Sequence, residues 1–314
     1  MGSREPPASH PGEQAGPAPL GGRAWVLAIR PRTLPASAAG VVMGAAVAWA
    51  DGRFRLVPSL ICLAVALLLQ IGSNLANDVF DFERGADTHE RLGPTRVTQA
   101  GLLAPAQVKR GMAVVFALAV FLGLPLVRLG GWPILVVGIA AVLAAVAYTA
   151  GPFPLGYHGL GDLFVFLFFG LASVVGTYYV QAGTVSAAAW WMTLPPGLLV
   201  TAILVVNNLR DLENDRRSGK LTLAVRIGER ATKIEYVLCV LIAYATLPLT
   251  VLLGLTPWPG LAAWLSLPLA YRAAHVVLTE KGRPLNAALA ATGQTALAFS
   301  VLYWLGLLVA SRFR

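Results

Sequence analysis

The sequence predicts an all-α fold, a polytopic membrane bundle of about nine transmembrane helices. Three observations carry this: the chain of 314 residues is 57% hydrophobic and 12% charged, its mean hydropathy is +0.69, and apolar runs near 20 residues recur along it. Soluble domains carry about 25% charged residues, and about 20 apolar residues in a helix cross a hydrocarbon core of about 30 Å. The runs fall near residues 33–50, 57–76, 110–127, 132–150, 162–181, 186–206, 235–255, 258–278 and 287–311. Ahead of them, residues 1–22 hold five Pro and five Gly and no apolar stretch. They are expected to form a disordered tail without a signal-peptide core, leaving residues 23–314 as one transmembrane domain. The two cysteines, Cys62 and Cys239, sit inside separate apolar runs and read as packing residues.

Basic residues orient the bundle. With nine spans, nineteen of the 24 Lys and Arg fall on the side of the N-terminus, and Arg53, Arg55, Arg128, Arg312 and Arg314 fall on the other. Positive charge stays on the cytoplasmic side, so the expected location is the cell (inner) membrane, with loops 84–110 and 210–233 facing cytoplasm. The net charge of +9 is spread over short loops between helices, which argues against nucleic acid as a partner. It suits anionic headgroups of membrane lipid or an anionic substrate. No obligate protein partner is inferred.

Two acid-rich segments then stand out, Asn74 to Asp87 (NLANDVFDFERGAD) and Asn207 to Asp215 (NNLRDLEND), each at the cytoplasmic end of an apolar run. Carboxylates next to hydrocarbon are costly and mark function. Asn74, Asn77, Asp78 and Asp81 are spaced by three, four and seven, one helix face. Asn207, Asp211 and Asp215 step by four, with Asn208 three before Asp211. Two carboxylates about 4 Å apart repel by roughly 4 kcal/mol at an effective dielectric near 20, so stacked acids call for a cation. Oxygen-only ligands favour a hard divalent ion, most naturally Mg²⁺.

Basic loops follow each motif, Arg91-Leu-Gly-Pro-Thr95-Arg96 after the first and Lys220-Leu-Thr222 after the second. Carboxylate-bound Mg²⁺ facing Arg91, Arg96 and Lys220 would receive a diphosphate. Apolar helices around it would house a hydrocarbon tail, so a polyprenyl diphosphate fits both environments. Ionising its allylic carbon–oxygen bond leaves a cation that wants aromatic faces and no water. Phe80, Tyr148, Phe153, Tyr178 and Tyr179 are candidates by placement. A third connection, residues 148–162, has no Lys or Arg, and its Tyr148, Tyr157, His158 and Asp162 are candidates to line the pocket. The spacing of the two motifs also suggests two half-bundles facing one another across a shared cavity.

These residues resemble the UbiA superfamily of intramembrane aromatic prenyltransferases. The pattern N-D-x-x-D at Asn77 to Asp81, with Asn207, Asp211 and Asp215 as the second acidic motif, carries the resemblance, which runs from residue 23 onward. Arg30-Pro-Arg32-Thr-Leu-Pro35, Leu92-Gly-Pro-Thr-Arg-Val-Thr-Gln99 and Tyr157-His158-Gly-Leu-Gly161 resemble the branch that acts on 1,4-dihydroxy-2-naphthoate in menaquinone biosynthesis. The resemblance implies a UbiA-type helical bundle around a cavity open to cytoplasm and to lipid at its side. It implies Mg²⁺ held by Asp78, Asp81, Asp211 and Asp215, oriented by Asn74, Asn77 and Asn208, and transfer of a polyprenyl group to the naphthoate with loss of diphosphate and CO2. Where the family pattern has a third acid, this chain has Gly85, with Asp87 two residues on; Asp87 or Glu83 would take that role. Arg32 or Lys220 is a candidate partner of the acceptor carboxylate, a choice the sequence leaves open, and Asp162 or His158 a candidate acceptor of the ring hydroxyl proton. Alternatives are prenyl transfer to another aromatic acid, such as 4-hydroxybenzoate or homogentisate, and a transporter.

Overall fold

A computed structural model describes residues 21–85 and 92–311 of the chain. Asp87, Arg91 and residues 1–20 of the expected tail lie outside these residues; Gly21 and Gly22 open the first helix. All regular structure among the described residues is helical: α1 (Gly21–Ile29), α2 (Leu34–Ala50), α3 (Leu56–Glu83), α4 (Pro105–Ala147), α5 (Gly161–Val165), α6 (Ser173–Ala182), α7 (Ala187–Trp191), α8 (Leu194–Arg217), α9 (Leu223–Leu252), α10 (Leu267–Thr279) and α11 (Leu285–Ser311). Among the described residues, eight helical stretches are long and apolar enough to cross a membrane. The ninth crossing is inside α4, whose 43 residues would run about 65 Å if straight, twice a hydrocarbon core. Gly131 breaks it with φ 66° and ψ −155°, a conformation open to glycine, and Pro133 follows. The two apolar runs expected at residues 110–127 and 132–150 are the two arms of this broken helix.

Helix α2 is the central post, packed against α3, α6 and α11. Its sequence Ala36-Ser-Ala-Ala-Gly40-Val-Val-Met-Gly44-Ala-Ala keeps it thin, and most of it is buried. A Cβ on Gly40 would come 2.4 Å from the Phe169 carbonyl oxygen, and one on Gly44 2.5 Å from that of Val174. Small residues four apart allow such contact, the main source of helix association where the solvent is as apolar as the side chains. Met43, Val47, Tyr178, Met192, Leu199, Leu247, Phe299 and Tyr303 complete this core. Helix α4 stays outermost, exposing Val114, Phe121, Trp132 and Leu143 as a lipid-facing surface should.

Between α5 and α6, residues Phe166–Ala172 wind as a π-helix. An α-helix drifts by about 40° every four residues, and a wider π turn rotates the other way. The π stretch therefore keeps Phe164, Phe168, Ala172, Gly176 and Val180, all four apart, on one wall of the cavity described next.

Candidate active site

Helix α3 builds one wall. Asp81, Asn77, Ser73, Gln70, Leu69, Ala66, Val65 and Cys62 line a cavity of about 610 Å³, and the helix rises about 28 Å from Cys62 to Asp81, a full hydrocarbon thickness. Asn207, Asn208, Leu204, Ile203 and Val200 of α8 line the same cavity, with Arg30, Arg32, Arg96, Lys220, Tyr148 and Thr149 around its charged end. Val41, Leu126, Ile134, Ile139, Phe168 and Val180 form the apolar remainder. The first motif thus reaches this amphiphilic chamber through Asn77 and Asp81 and the second through Asn207 and Asn208, whereas Asp211 and Asp215 are not among its lining residues.

The face predicted on α3 is divided in its work. At about 100° per residue, Asn77 and Asp81 lie on one edge of the arc and Asn74 and Asp78 on the other. Asn77 and Asp81 line the cavity. Asp78, 1% exposed, instead accepts the backbone N–H groups of Val97 at 3.1 Å and Thr98 at 2.9 Å, and so holds the loop after the first motif. Asn74 donates to the Ile29 carbonyl at 2.8 Å and to Thr33 Oγ1 at 2.9 Å. Those bonds clamp the bend between α1 and α2, where Arg30 has a left-handed backbone, φ 56°, a conformation that costs a non-glycine residue energy and recurs at binding sites. The bend delivers Arg30 and Arg32 to the cavity.

Each motif comes with its own arginine. Asp81 pairs with Arg96 at 3.0 Å, both almost fully buried, and also accepts the Tyr157 hydroxyl at 2.8 Å. Asp211 is held by Arg210 through Nε at 2.9 Å and Nη2 at 2.5 Å. Tyr157 links the two halves: Lys220 lies over its ring at 5.2 Å and Arg84 at 5.5 Å, and its carbonyl accepts Leu221 N–H at 3.0 Å. Arg84 also donates to the carbonyls of Thr149, at 2.9 Å, and Gly151. Asp215 is 6% exposed one turn beyond Asp211, and its carbonyl accepts Lys220 N–H at 2.8 Å.

Tyr148 stands among three acids. Enclosure pushes its phenol far above the ordinary range, and the charges of Asp162, Asp81 and Asp215 push it the same way. Asp162 lies beside it, since a Cβ on neighbouring Gly161 would sit 2.8 Å from the Tyr148 hydroxyl. Neither oxygen of the buried Asp162 carboxylate finds a partner on another described residue. His158 is placed otherwise: its Nδ1 meets the Pro154 carbonyl at 2.8 Å and its ring stacks on exposed Phe153 at 3.7 Å, away from the cavity lining. Glu83 pairs with Lys109 at 2.6 Å on the surface. Thr149, Arg210 and Asn286 belong to the site or its frame without having been singled out in the sequence, and Arg30 was named only within the Arg30–Pro35 pattern; a polar residue at the edge of the last apolar run was the available sign for Asn286.

Among the described residues no three His, Cys, Asp or Glu side chains stand together as a ready metal cage. The donors at the charged end are nonetheless carboxylate and amide oxygens, a set suited to a hard cation.

A bundle of this shape with acids at paired helix ends is the architecture of an intramembrane prenyltransferase, and sequence comparison agrees. The UbiA prenyltransferase family model matches residues 37–292, and the chain belongs to that family. It is 38% identical to the 1,4-dihydroxy-2-naphthoate octaprenyltransferase of Escherichia coli, covering 91% of this chain and 95% of the relative. It is 40% identical to the protein of the same name from Mycobacterium tuberculosis, over 88% and 94% of the two chains. In fold it is similar to a UbiA homolog from Archaeoglobus fulgidus bound to GPP and Mg²⁺, with a TM-score of 0.66 at 14% identity over 90% of this chain and 99% of that one. The apo UbiA homolog from Aeropyrum pernix superposes with a TM-score of 0.67 at 16% identity, over 88% and 98%.

Proposed function

We propose that this chain transfers a polyprenyl group from a polyprenyl diphosphate to 1,4-dihydroxy-2-naphthoate, releasing diphosphate and CO2 and giving demethylmenaquinol for menaquinone biosynthesis. One observation carries the reading: Asp81, Asn77 and Arg96 from the first motif and its loop, and Asn207, Asn208 and Lys220 from the second, surround one end of a cavity whose α3 wall runs about 28 Å and is apolar from Leu69 to Cys62. A diphosphate head and a hydrocarbon tail divide between those two environments. The names of the relatives in Escherichia coli and Mycobacterium tuberculosis support the naphthoate as acceptor.

Arg96, Lys220 and Arg30 bind the diphosphate oxygens, and Arg32 binds the acceptor carboxylate. Asp81, Asp211 and Asp215, with Asn77 and Asn208, would hold Mg²⁺, while Asp78 fixes the loop that carries Arg96. Mg²⁺ is commonly held by one or two carboxylates plus substrate phosphates, a mode that these acids and amides would suit. When bound, Mg²⁺ neutralises charge on the diphosphate leaving group. The allylic C–O bond breaks with its electron pair leaving on diphosphate, and apolar walls keep water from the cation. The ring carbon bearing the carboxylate forms the new C–C bond, and loss of CO2 returns the electron pair that restores aromaticity. Tyr148 donates to the diphosphate or acceptor, and Asp162 takes the ring hydroxyl proton. The bias of basic residues supports a site facing cytoplasm.

The test is turnover by purified full-length protein in detergent, with a defined prenyl diphosphate and each of 1,4-dihydroxy-2-naphthoate, 4-hydroxybenzoate and homogentisate. Expected is a product with the mass of the decarboxylated prenyl naphthalenediol only, abolished by EDTA and restored by Mg²⁺. Turnover on another acid alone, or undiminished turnover in EDTA, overturns the reading. Activity in detergent without a gradient separates it from transport.

A further inference from the structure

Arg210 is 3% exposed, about two turns before the C-terminus of α8. Four of its hydrogen bonds are to side chains: two to Asp211, one to the Asn207 carbonyl oxygen at 2.8 Å and one to the Asn286 carbonyl oxygen at 2.8 Å. Asn286, in the first turn of α11, uses the other half of its amide to donate to the Leu92 carbonyl at 2.9 Å. Leu92 lies in the loop that follows the first motif, whose Val97 and Thr98 N–H groups rest on Asp78 and whose Arg96 rests on Asp81. Its side chain lies near Gly282 in the turn before α11. The preceding residue, Leu285, is 1% exposed and packs with Val205, Val206, Leu209 and Tyr236, which fixes where Asn286 stands.

An amide is the side chain that offers a donor and an acceptor from one rigid plane. Here the acceptor faces a guanidinium and the donor faces a carbonyl, so the reversed amide would spoil both bonds at once. The alternatives each lose something definite: Asp keeps the acceptor and loses the donor, Leu keeps the volume and loses both. A residue serving only to pack α11 would need neither half.

We propose that Asn286 is a positioning residue that couples the two halves of the site, setting Arg210 and through it Asp211 on one side, and pinning the loop of Arg96, Val97 and Thr98 on the other. The proposal rests on the prenyl-diphosphate reading above only for what the coupled site binds. The coupling itself is a property of the ligand-free chain.

The test is hydrogen–deuterium exchange on full-length protein in detergent, read in peptides covering residues 92–103, for wild type, Asn286→Asp, Asn286→Leu and Asn286→Ala. Local opening sets amide exchange, so the Val97 and Thr98 amides should exchange roughly tenfold faster in all three variants, with the membrane core of α2 and α8 unchanged. KM for the prenyl diphosphate should rise about tenfold in Asn286→Leu and Asn286→Ala with kcat within about threefold, and rise less in Asn286→Asp, which keeps its bond to Arg210. Exchange at residues 92–103 within twofold of wild type in every variant, or acceleration spread evenly over all helix ends, overturns the proposal. Should Asn286→Leu not insert, Asn286→Asp and Asn286→Ala carry the same reading. If the loop loosens as expected while wild-type protein turns over no prenyl donor, the coupling stands and the proposed function falls.

Discussion

The Tyr157 hydroxyl donates to Asp81 at 2.8 Å, and with Lys220 lying over the ring this one side chain joins the first acid motif to the loop behind the second. A hydrogen bond to a charged group contributes about 1.5–3 kcal/mol, so Tyr157→Phe, which keeps the ring under Lys220, should raise KM for the prenyl diphosphate roughly tenfold or more. Tyr157→Ala should do worse, by losing both contacts. Steady-state kinetics with varied donor checks this.

Asp81 and Arg96 form a buried pair at 3.0 Å. Removing one partner of such a pair costs about 3–5 kcal/mol because the other charge is stranded. Arg96→Met should lower the thermal midpoint in detergent by several degrees, whereas Asp81→Asn combined with Arg96→Gln should recover most of that stability without recovering activity. Thermal unfolding followed alongside turnover separates the two effects.

Asp78 bears on structure as well as chemistry. Asp78→Ala leaves the Val97 and Thr98 N–H groups without their acceptor, so the loss of turnover should come with faster proteolysis near residues 92–103. Asp211→Asn, which can still accept from Arg210, should lose turnover by at least about a hundredfold while proteolysis stays as in wild type. Comparing the two by limited proteolysis and product assay tests the division of labour.

Gly40 and Gly44 leave no room for a side chain against Phe169 and Val174. Gly40→Val should destabilise the bundle by several kcal/mol through forced separation of α2 from α6. Gly123, with nothing near its missing Cβ, should accept Ala with little change. Thermal midpoints of both variants check the contrast.

The fold was readable because apolar runs of membrane length are a local property, and even the break of α4 at Gly131 falls between two of those runs. The acid motifs were readable because helix spacing is local too. What the spacing hid is which edge of a face meets what: Asn77 and Asp81 reach the cavity, but Asn74 and Asp78 are used up by the Arg30 bend and the 97–98 backbone, partners that an offset of three or four cannot reveal. His158 looked like a pocket residue from its neighbours Tyr157 and Asp162, yet the turn around it aims the ring at Phe153. Arg210 meets Asn286 across 76 residues of chain, a pairing that depends on how α8 and α11 pack and on nothing in either segment alone. The π turn at Phe166–Ala172 carries no composition of its own, so the aromatic wall of Phe164 and Phe168 stayed hidden behind more obvious tyrosines.

The most direct test of a shared site is calorimetric binding of a non-hydrolysable prenyl diphosphate analogue with Mg²⁺ to wild type, Asp81→Asn, Asp211→Asn and the double variant. If both acids hold one metal–diphosphate complex, each single change should weaken binding about a hundredfold and the double little further, a strongly non-additive cycle. Losses that simply add, or a single variant that binds as wild type does, would contradict it.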